Sequence, residues 1–203
     1  MAVALLLHLP VLRERAAEQS IQQAIQLFGS LAVSSLHHAV FEGGQIAHSA
    51  GDFAEAERRY RQSIQLANTL TPALDMGKLK MLGYAARRQG RTDEAAAMLR
   101  QSLDGHLEQY PRDTVGQATC LVGLAGVFSD RSQVETAIRL FAAAEGPLAN
   151  FRRLYSYPAD EYEYRQTLIE LRQKLDAAAF AAAWAAGKAL TWQQAIALVR
   201  QAT

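Results

Sequence analysis

At 203 residues, the chain has the length of one ordinary domain or a short repeat array, which excludes a large multidomain assembly. Hydrophobic residues make up 50% of it and charged residues 20%, so it can bury a core and is not intrinsically disordered. The formal net charge of +1 provides no general attraction for a phosphate backbone, so we expect no direct contact with nucleic acid. A single cysteine, Cys120, excludes an intramolecular disulfide and a multi-cysteine zinc site, and it fits a reducing cytoplasm.

The first ten residues are apolar but lack the parts of a signal peptide. No basic residue precedes the run at residues 4–7, and no small-residue cleavage site follows it. His8 interrupts the run and Pro10 ends it, far short of the ~20 residues that a spanning helix requires. We expect a first helix that packs on the next one, in a protein without membrane contact.

The rest of the chain has the composition and spacing of helices. Ala, Leu, Gln, Glu and Arg recur, and apolar residues return every three or four positions, as in Ile21-Ala24-Ile25-Phe28. We therefore predict an all-α fold. The predicted helix boundaries are Gly43-Gly44, Gly51-Asp52, Thr71-Pro72, Gly90, Tyr110-Pro111, Gly146-Pro147, Tyr157-Pro158 and Gly187.

Three segments share one pattern of small and large residues. Around Ala56, Ala95 and Ala137, small residues stand twelve and five positions before the alanine, a large residue four after it, and a small one seven after it. The three sets are Gly44, Gly51, Ala56, Tyr60 and Ser63; Gly83, Gly90, Ala95, Leu99 and Ser102; and Ala125, Ser132, Ala137, Phe141 and Ala144. This threefold register predicts a repeat protein.

These residue types suit a helical hairpin. The first small residue lets two antiparallel helices approach closely, and the Gly or Ser seven residues later ends the first helix. The alanine lies at the second close crossing, and the large residue fills the space between neighbouring hairpins. Each hairpin keeps an apolar face, so the hairpins must stack.

The pattern resembles the tetratricopeptide repeat (TPR), through Leu82-Gly83, Gly90, Ala95, Leu99 and Ser102-Leu103. The resemblance implies a right-handed superhelical solenoid of antiparallel helical hairpins. Ala95 follows Ala56 by 39 residues and Ala137 follows Ala95 by 42, more than the ~34 of the basic motif. Gly43, where a large apolar residue is usual, and Ser132, where glycine is usual, depart from the motif.

The repeats predict the domain organisation. We expect a TPR-like array over residues 1–146 and C-terminal capping helices over residues 147–203. The predicted units lie near residues 2–28, 37–68, 76–104 and 118–146. The first unit matches poorly, as a terminal repeat does, or as a chain cut from a longer solenoid would.

The sequence beyond residue 180 is the most specific part of the chain. It is similar to the closing segment of large bacterial regulators, in which a STAND-type ATPase and a winged-helix, LuxR-type or cyclase output domain precede a TPR array. That family ends in Phe-x-x-x-Trp, a glycine, a leucine, then Thr or Ser, matched here by Phe180, Trp184, Gly187, Leu190 and Thr191. The resemblance covers residues 37–203, and no G-x-x-x-x-G-K-[ST] string occurs, so it implies the sensing or scaffolding half of such a regulator.

Local rules assign roles within this segment. Thr191 fits an N-cap, and Gly187 fits the C′ position that closes the preceding helix. We expect Phe180 and Trp184, four residues apart on one helix face, to cover the open end of the solenoid. A tryptophan-lined ligand site is the alternative.

No constellation of residues predicts catalysis, a metal site or a cofactor. His38 and His48 are ten residues apart, so on one helix they are too distant to share a metal. Cys120 lies in an apolar helix without a histidine at helical spacing, and we expect a buried structural thiol. We therefore predict that the chain is not an enzyme.

Two polar clusters near the C-terminal segment have simple structural explanations. Asp160, Glu161 and Glu163 could perform acid–base chemistry, but carboxylates at a helix start more simply complement the helix dipole. The segment 151–158 mixes two arginines with aromatic residues, as single-strand nucleic-acid sites do. Two arginines are too few for that, so we expect a loop packed on the cap, with a partner contact as the alternative.

The TPR resemblance implies that exposed positions of each first helix line a concave groove. The candidate peptide-binding residues are His38, Phe41, Gln45, His48, Lys80, Tyr84, Arg87, Arg88 and Thr119, followed by Ser129. Their basic centre with aromatic and amide neighbours suits an extended or helical peptide with carboxylates. Alternatively, Arg87 and Arg88 are solvated residues near a helix end, where bases complement the dipole.

These observations predict a non-catalytic, cytoplasmic module that binds a protein or peptide and regulates a bacterial signal-transduction or transcription-control system. Two alternatives remain open. One is a structural module that forms homo-oligomers through the apolar residues 4–7. The other is a sensor of a small molecule or pheromone peptide, enclosed near Phe41 and Tyr84.

Overall fold

The computed structural model describes Gln19 and residues 33–70, 75–151 and 157–201. From Val33 to Gln201, the described residues form α-helices and no strand, which confirms the predicted all-α fold. The helices are α1 (Val33–Ser49), α2 (Phe53–Leu70), α3 (Met76–Arg88), α4 (Thr92–Gln109), α5 (Thr114–Asp130), α6 (Val134–Phe151), α7 (Pro158–Arg172), α8 (Ala177–Lys188) and α9 (Trp192–Gln201). None of these described helices is long and apolar enough to span a bilayer.

The first six helices form three hairpins, which are α1 with α2, α3 with α4, and α5 with α6. The hairpins stack in chain order, since α2 packs on α3 and α4 packs on α5. This arrangement is the predicted TPR-like solenoid. The predicted units near 37–68, 76–104 and 118–146 each overlap one hairpin, whereas the unit near 2–28 and the apolar residues 4–7 lie outside the described residues.

The three hairpin turns have one backbone conformation. Gly51, Gly90 and Ser132 have φ angles of 84°, 78° and 63°, in the left-handed region that favours glycine. In each turn the next residue donates its N–H to the carbonyl five residues earlier, as in Arg91 to Ala86 at 3.0 Å. The prediction that these positions end the first helices is therefore confirmed.

The small and large residues of the repeat meet where the helices cross. A Cβ atom on Gly44 would lie 2.6 Å from Tyr60 Cε1, and one on Gly83 would lie 2.7 Å from Leu99 Cγ. Leu99 also reaches the next hairpin, because a Cβ on Gly123 would lie 2.9 Å from Leu99 Cδ2. The large residue therefore fills the space between hairpins, as predicted.

The expected helix break at Gly146-Pro147 is wrong, because α6 continues through both residues to Phe151. Proline disfavours a helix interior because it lacks one N–H, because its ring clashes with the carbonyl four residues earlier, and because it crowds the Cβ and N–H of the preceding residue. Gly146 has no Cβ, which relieves part of that crowding, and Pro147 lies close to the helix end. The predicted boundary between residues 146 and 147 thus falls inside a helix.

Helices α8 and α9 pack on α6, at the end of the array. Trp184 of α8 lies 5.9 Å from the Phe141 ring and stacks on Phe180 at 5.5 Å between centroids. Thr191 is the N-cap of α9, as predicted. Its Oγ1 accepts from the Gln194 N–H, and its own N–H donates to Gln194 Oε1.

Gly187 does not close α8, which corrects the prediction made for it. It lies inside the last turn of α8 and is buried against α6. A Cβ there would lie 2.7 Å from Arg139 Cα, so this position is glycine because two helix backbones touch, not because a helix ends.

Helix α7 does not join this end cap. It contacts α1, α5 and α6, and its acidic side chains bond to α3, so it lies across the first helix of every hairpin. The segment 152–156 that precedes it lies outside the described residues.

Replacing Ser132 with glycine should raise the free energy of unfolding by about 0.5–1 kcal/mol. The left-handed backbone costs a non-glycine residue ~1–2 kcal/mol, and the greater freedom of glycine in the unfolded chain offsets about half of that gain. Urea denaturation measures the change. The reciprocal variant Gly90→Ser should lose a similar amount, and a less stable Ser132→Gly chain would contradict the strained turn.

Candidate functional site

The candidate site is the surface of α1, α3 and α5 that faces α7, which we call the groove. Eight of the nine predicted peptide-binding residues lie there: Phe41, Gln45, His48, Lys80, Tyr84, Arg87, Arg88 and Thr119. His38 is exposed, and its ring lies 4.0 Å from that of His37 with the two planes tilted by 40°. The expectation that the groove residues are open to solvent is wrong, because α7 covers them. Arg87 is only 6% exposed and His48 is fully buried.

Lys80 and Tyr84 bind the start of α7. Lys80 Nζ lies 2.8 Å and 2.9 Å from the two carboxylate oxygens of Asp160, and it also donates to Thr119 Oγ1 at 2.9 Å. The Tyr84 hydroxyl lies 2.7 Å from the Thr119 carbonyl oxygen and 3.1 Å from Asp160 Oδ1. Burial, followed by the charge of Asp160, raises the pKa of Tyr84 well above its ordinary value, so its hydroxyl stays a donor.

Glu163 occupies the centre of the groove and is completely buried. Arg88 donates to both of its oxygens, from Nε at 2.8 Å and from Nη2 at 2.9 Å. His48 Nε2 lies 2.8 Å from Glu163 Oε1, so one carboxylate joins α7 to the first two hairpins. The guanidinium of Arg88 also lies 5.5 Å from the Tyr162 ring centre.

Arg87 binds the far end of α7 and links it to the third hairpin. Its Nε and Nη2 donate to the two oxygens of Asp130 at 2.8 Å and 3.1 Å, and Nη2 lies 2.5 Å from Glu170 Oε2. Arg88 also donates to Glu170. Gly126 of α5 makes room for this guanidinium, since a Cβ there would lie 2.5 Å from Arg87 Nε.

The other end of the groove contains an amide and aromatic rings. Gln45 Oε1 accepts the Ala159 N–H at 3.0 Å, in the first turn of α7. The Phe41 ring meets the Tyr157 ring edge-on at 5.9 Å. The groove therefore holds α7 along its whole length, with basic side chains at its centre.

The ionisation of the glutamates follows from these contacts. Burial alone raises the pKa of Glu163, but hydrogen bonds from His48 and Arg88 outweigh it and hold the pKa below the ordinary value. Burial likewise opposes ionisation of Glu170, and the charges and hydrogen bonds of Arg87 and Arg88 lower its pKa overall. Both carboxylates are thus ionised at neutral pH.

Three buried polar atoms at the α1 end of the groove have no hydrogen-bond partner among the described residues. They are Gln45 Nε2, His48 Nδ1 and Tyr60 Oη. Buried polar groups in folded proteins are normally paired, so helix α7 complements this end of the groove incompletely.

A cavity of about 210 Å³ opens beside the arginines, lined by Arg87, Arg88, Ser129, Asp130, Glu170 and Lys174. Ser129, which the sequence placed at the edge of the groove, lies here. Through this cavity solvent reaches the cations that bind Glu170.

The structure also locates the other residues considered in sequence. Cys120 is completely buried beside Ser102 Oγ at 3.3 Å, and burial raises the pKa of its thiol to about 11, which makes it a poor nucleophile. Asp160 and Glu161 lie in the first turn of α7, as the dipole interpretation expects. That interpretation missed the ion pairs of Asp160 and Glu163 with the groove.

The sequence analysis therefore missed the side chains that occupy the groove. Asp160, Glu163, Thr167 and Glu170 are spaced three, four and three residues apart, so one face of a helix carries all four. This acidic face is visible in the sequence, and it matches the basic groove predicted for carboxylates. Predicting the contact requires pairing this acidic face with basic groove residues about 80 positions earlier in the chain.

Comparisons with known proteins agree with this architecture. The family model described as tetratricopeptide repeat matches residues 79–109, which comprise most of the second hairpin. The chain contains a tetratricopeptide repeat. The crystal structure of BtubC (BKLC) from P. vanneervenii has a similar fold, with a TM-score of 0.50 and 20% sequence identity. That match covers 93% of this chain and 87% of the other. No curated protein matches the chain.

The tetratricopeptide fold typically binds other proteins rather than catalysing reactions. Among the described residues, no group of three or more His, Cys, Asp or Glu side chains could hold a metal ion. What the groove presents is a set of desolvated cations and hydrogen-bond donors, arranged along one helix of carboxylates. In this structure the arrangement binds the carboxylates of α7 through charge-assisted hydrogen bonds.

Replacing Arg88 with alanine should lower the free energy of unfolding by about 3 kcal/mol. The change leaves the buried Glu163 carboxylate without its bidentate partner, which is costlier than losing an exposed pair. Arg58→Ala is the matched control, because its pair with Glu55 has an arginine that is 62% exposed. We expect the control to change stability by less than about 0.5 kcal/mol in the same urea titrations. Equal losses in the two variants would contradict the role of Arg88.

The stability of the chain should fall in acid through Glu163 and Glu170. Their pKa values are lowered in the folded chain, so their stabilisation is fully present above the ordinary value of 4.5 and is lost as pH falls through the lowered values. Between about pH 5 and pH 3, wild type should therefore lose more free energy of unfolding than Glu163→Gln. Glu161→Gln, which changes a carboxylate paired with Arg165 at the surface, should behave like wild type. Parallel curves for all three chains would refute the assignment.

Proposed function

We propose that this chain is a non-catalytic, protein-binding module whose groove takes an acidic helical segment of a partner protein. The observation that carries the proposal is the row formed by Lys80, Arg87 and Arg88, each bonded to a carboxylate of one helix. The planar fork of donors on a guanidinium matches the two oxygens of a carboxylate, so these contacts are directional and selective. The groove is thus suited to the ligand class that it already contacts.

The length of the contact favours a helix over a short or compact ligand. Lys80 binds residue 160 of α7, and Arg87 and Arg88 bind residue 170. Ten residues of helix extend ~15 Å, so the cations are distributed along a surface that a small anion could not span. A helical segment with several carboxylates uses the whole groove.

We further propose that the module is the sensing or scaffolding part of a cytoplasmic, bacterial signal-transduction or transcription regulator. The C-terminal sequence from Phe180 to Thr191, with its similarity to the end of such regulators, supports this. In this proposal residues 1–146 supply the binding array, and α8 and α9 end it. Binding would change the shape of the solenoid and pass that change to an output domain or partner chain.

The two alternatives have less support. In the sensor alternative a small molecule or pheromone peptide lies near Phe41 and Tyr84, and that place is taken by Tyr157 and Asp160. Self-assembly through residues 4–7 stays a prediction, because those residues lie outside the described part of the chain.

A display library of helical peptides, selected on the full chain, tests the proposed function. We expect the selected peptides to carry two or more carboxylates on one helix face, because the groove presents cations at matching intervals. Arg88→Ala should weaken their binding about tenfold or more, since it removes a bidentate contact. Arg58→Ala, the exposed control, should leave it unchanged. Selection of peptides without acidic residues, or equal peptide affinity for wild type and Arg88→Ala, would refute the proposal.

A further inference from the structure

Helix α7 turns polar side chains toward the hairpins. Asp160, Glu163 and Thr167 are buried alongside the apolar Ala159 and Leu171. The Tyr162 ring of α7 meets the rings of His48 and Phe53 in the first hairpin, and Tyr164 meets Phe141 in the last hairpin. Surface helices usually dock through an apolar stripe, and α7 adds to its apolar contacts a set of buried ion pairs.

The ion pairs are the part of the α7 contact that another helix can take over. A buried ion pair gains little over its separated, hydrated partners, because desolvation offsets most of the attraction. A second helix with carboxylates in the same places would restore every ion pair of the groove. The carboxylates of α7 would meanwhile become hydrated, so the exchange costs little at these contacts.

The groove would also accept a better ligand than α7. Gln45 Nε2 lies beside the α7 N-terminus, because Oε1 of the same amide accepts from Ala159 N–H, and yet it has no partner among the described residues. Tyr60 Oη is equally unpaired and completely buried. A helix with one further acceptor at this end would satisfy groups that α7 leaves unsatisfied.

The cavity beside Arg87 and Arg88 provides a point of entry. Lys174 lines the same cavity and adds a third cation to it. A carboxylate of an incoming helix can therefore meet these cations while the rest of α7 is still in place. Displacement can begin there without first exposing the buried Glu163.

We propose that α7 is an exchangeable internal ligand of the groove, and that the partner is an acidic helix that displaces it. This inference rests on the proposed function and specifies the partner. Its carboxylates are spaced like Asp160, Glu163 and Glu170, at positions i, i+3 and i+10 of one helix. The free chain is thus closed, and partner binding releases α7.

A fluorescein-labelled peptide with the sequence of residues 157–173 tests the exchange. We compare its affinity for the full wild-type chain and for the variant Asp160→Asn/Glu163→Gln/Glu170→Gln by fluorescence anisotropy. The variant should bind at least about tenfold more tightly, because its own α7 no longer competes at an effective concentration on the order of millimolar. Glu161→Gln is the matched α7 control and should bind like wild type. A peptide carrying the three neutral substitutions should not bind.

Equal affinities for wild type and the triple variant would overturn the inference, as would a folded variant that binds no peptide. Hydrogen exchange on the wild-type chain gives a second readout that does not need the variant to fold. Excess peptide should remove protection from the amides of residues 158–172, and unchanged protection during binding would overturn the displacement. Display-selected peptides that bind while α7 stays protected would leave the proposed function standing. Failure of every peptide to bind would remove both proposals.

Discussion

The Glu163 carboxylate lies between His48 of the first hairpin and Arg88 of the second, with no exposed surface. Burying an ionised carboxylate is very costly unless cations and donors surround it. The cations need the carboxylates as well, because α3 presents the adjacent Arg87 and Arg88 to the inside of the molecule. The relative positions of α1, α3 and α7 therefore depend on one another. None of the three elements could be removed without leaving a buried charge unpaired.

The hairpins were predictable from sequence because their determinants are local. Gly51, Gly90 and Ser132 recur at one position of the repeat, and the turn geometry needs only the residues around them. Gly146-Pro147 and Gly187 were misassigned because the same residues have several structural uses, and the local sequence does not distinguish them. Gly187 is required by a backbone on another helix. The place of α7 could not be obtained locally, since its ion pairs with the groove join residues 75 to 115 positions apart.

The groove residues themselves were predicted, but their environment was not. Repeat register locates which positions of α3 face inward, whereas their exposure depends on what packs over them. The net charge of +1 gives no sign of this arrangement, because the basic side chains of the groove and the acidic side chains of α7 cancel in the total. At the solvent-exposed surface, pairs such as Arg58 with Glu55 remain hydrated and contribute little. The same residue types thus act as solubilising surface on one face and as specific recognition groups on the other.

The glycines that admit Tyr84 and Arg87 into α5 affect how the solenoid forms. Helix α5 contains Gly116, Gly123 and Gly126 among its 17 residues, and each glycine in a helix interior costs ~1 kcal/mol relative to alanine. Taken alone, α5 is therefore a poor helix, and it becomes ordered only against a neighbour that fills the glycine gaps. The second hairpin is that neighbour. The stability of a repeat protein is approximately the sum of the intrinsic stability of each repeat and the interfaces between neighbours. The third hairpin has weak intrinsic stability and a strong interface, so folding should spread into it from the second hairpin rather than begin there.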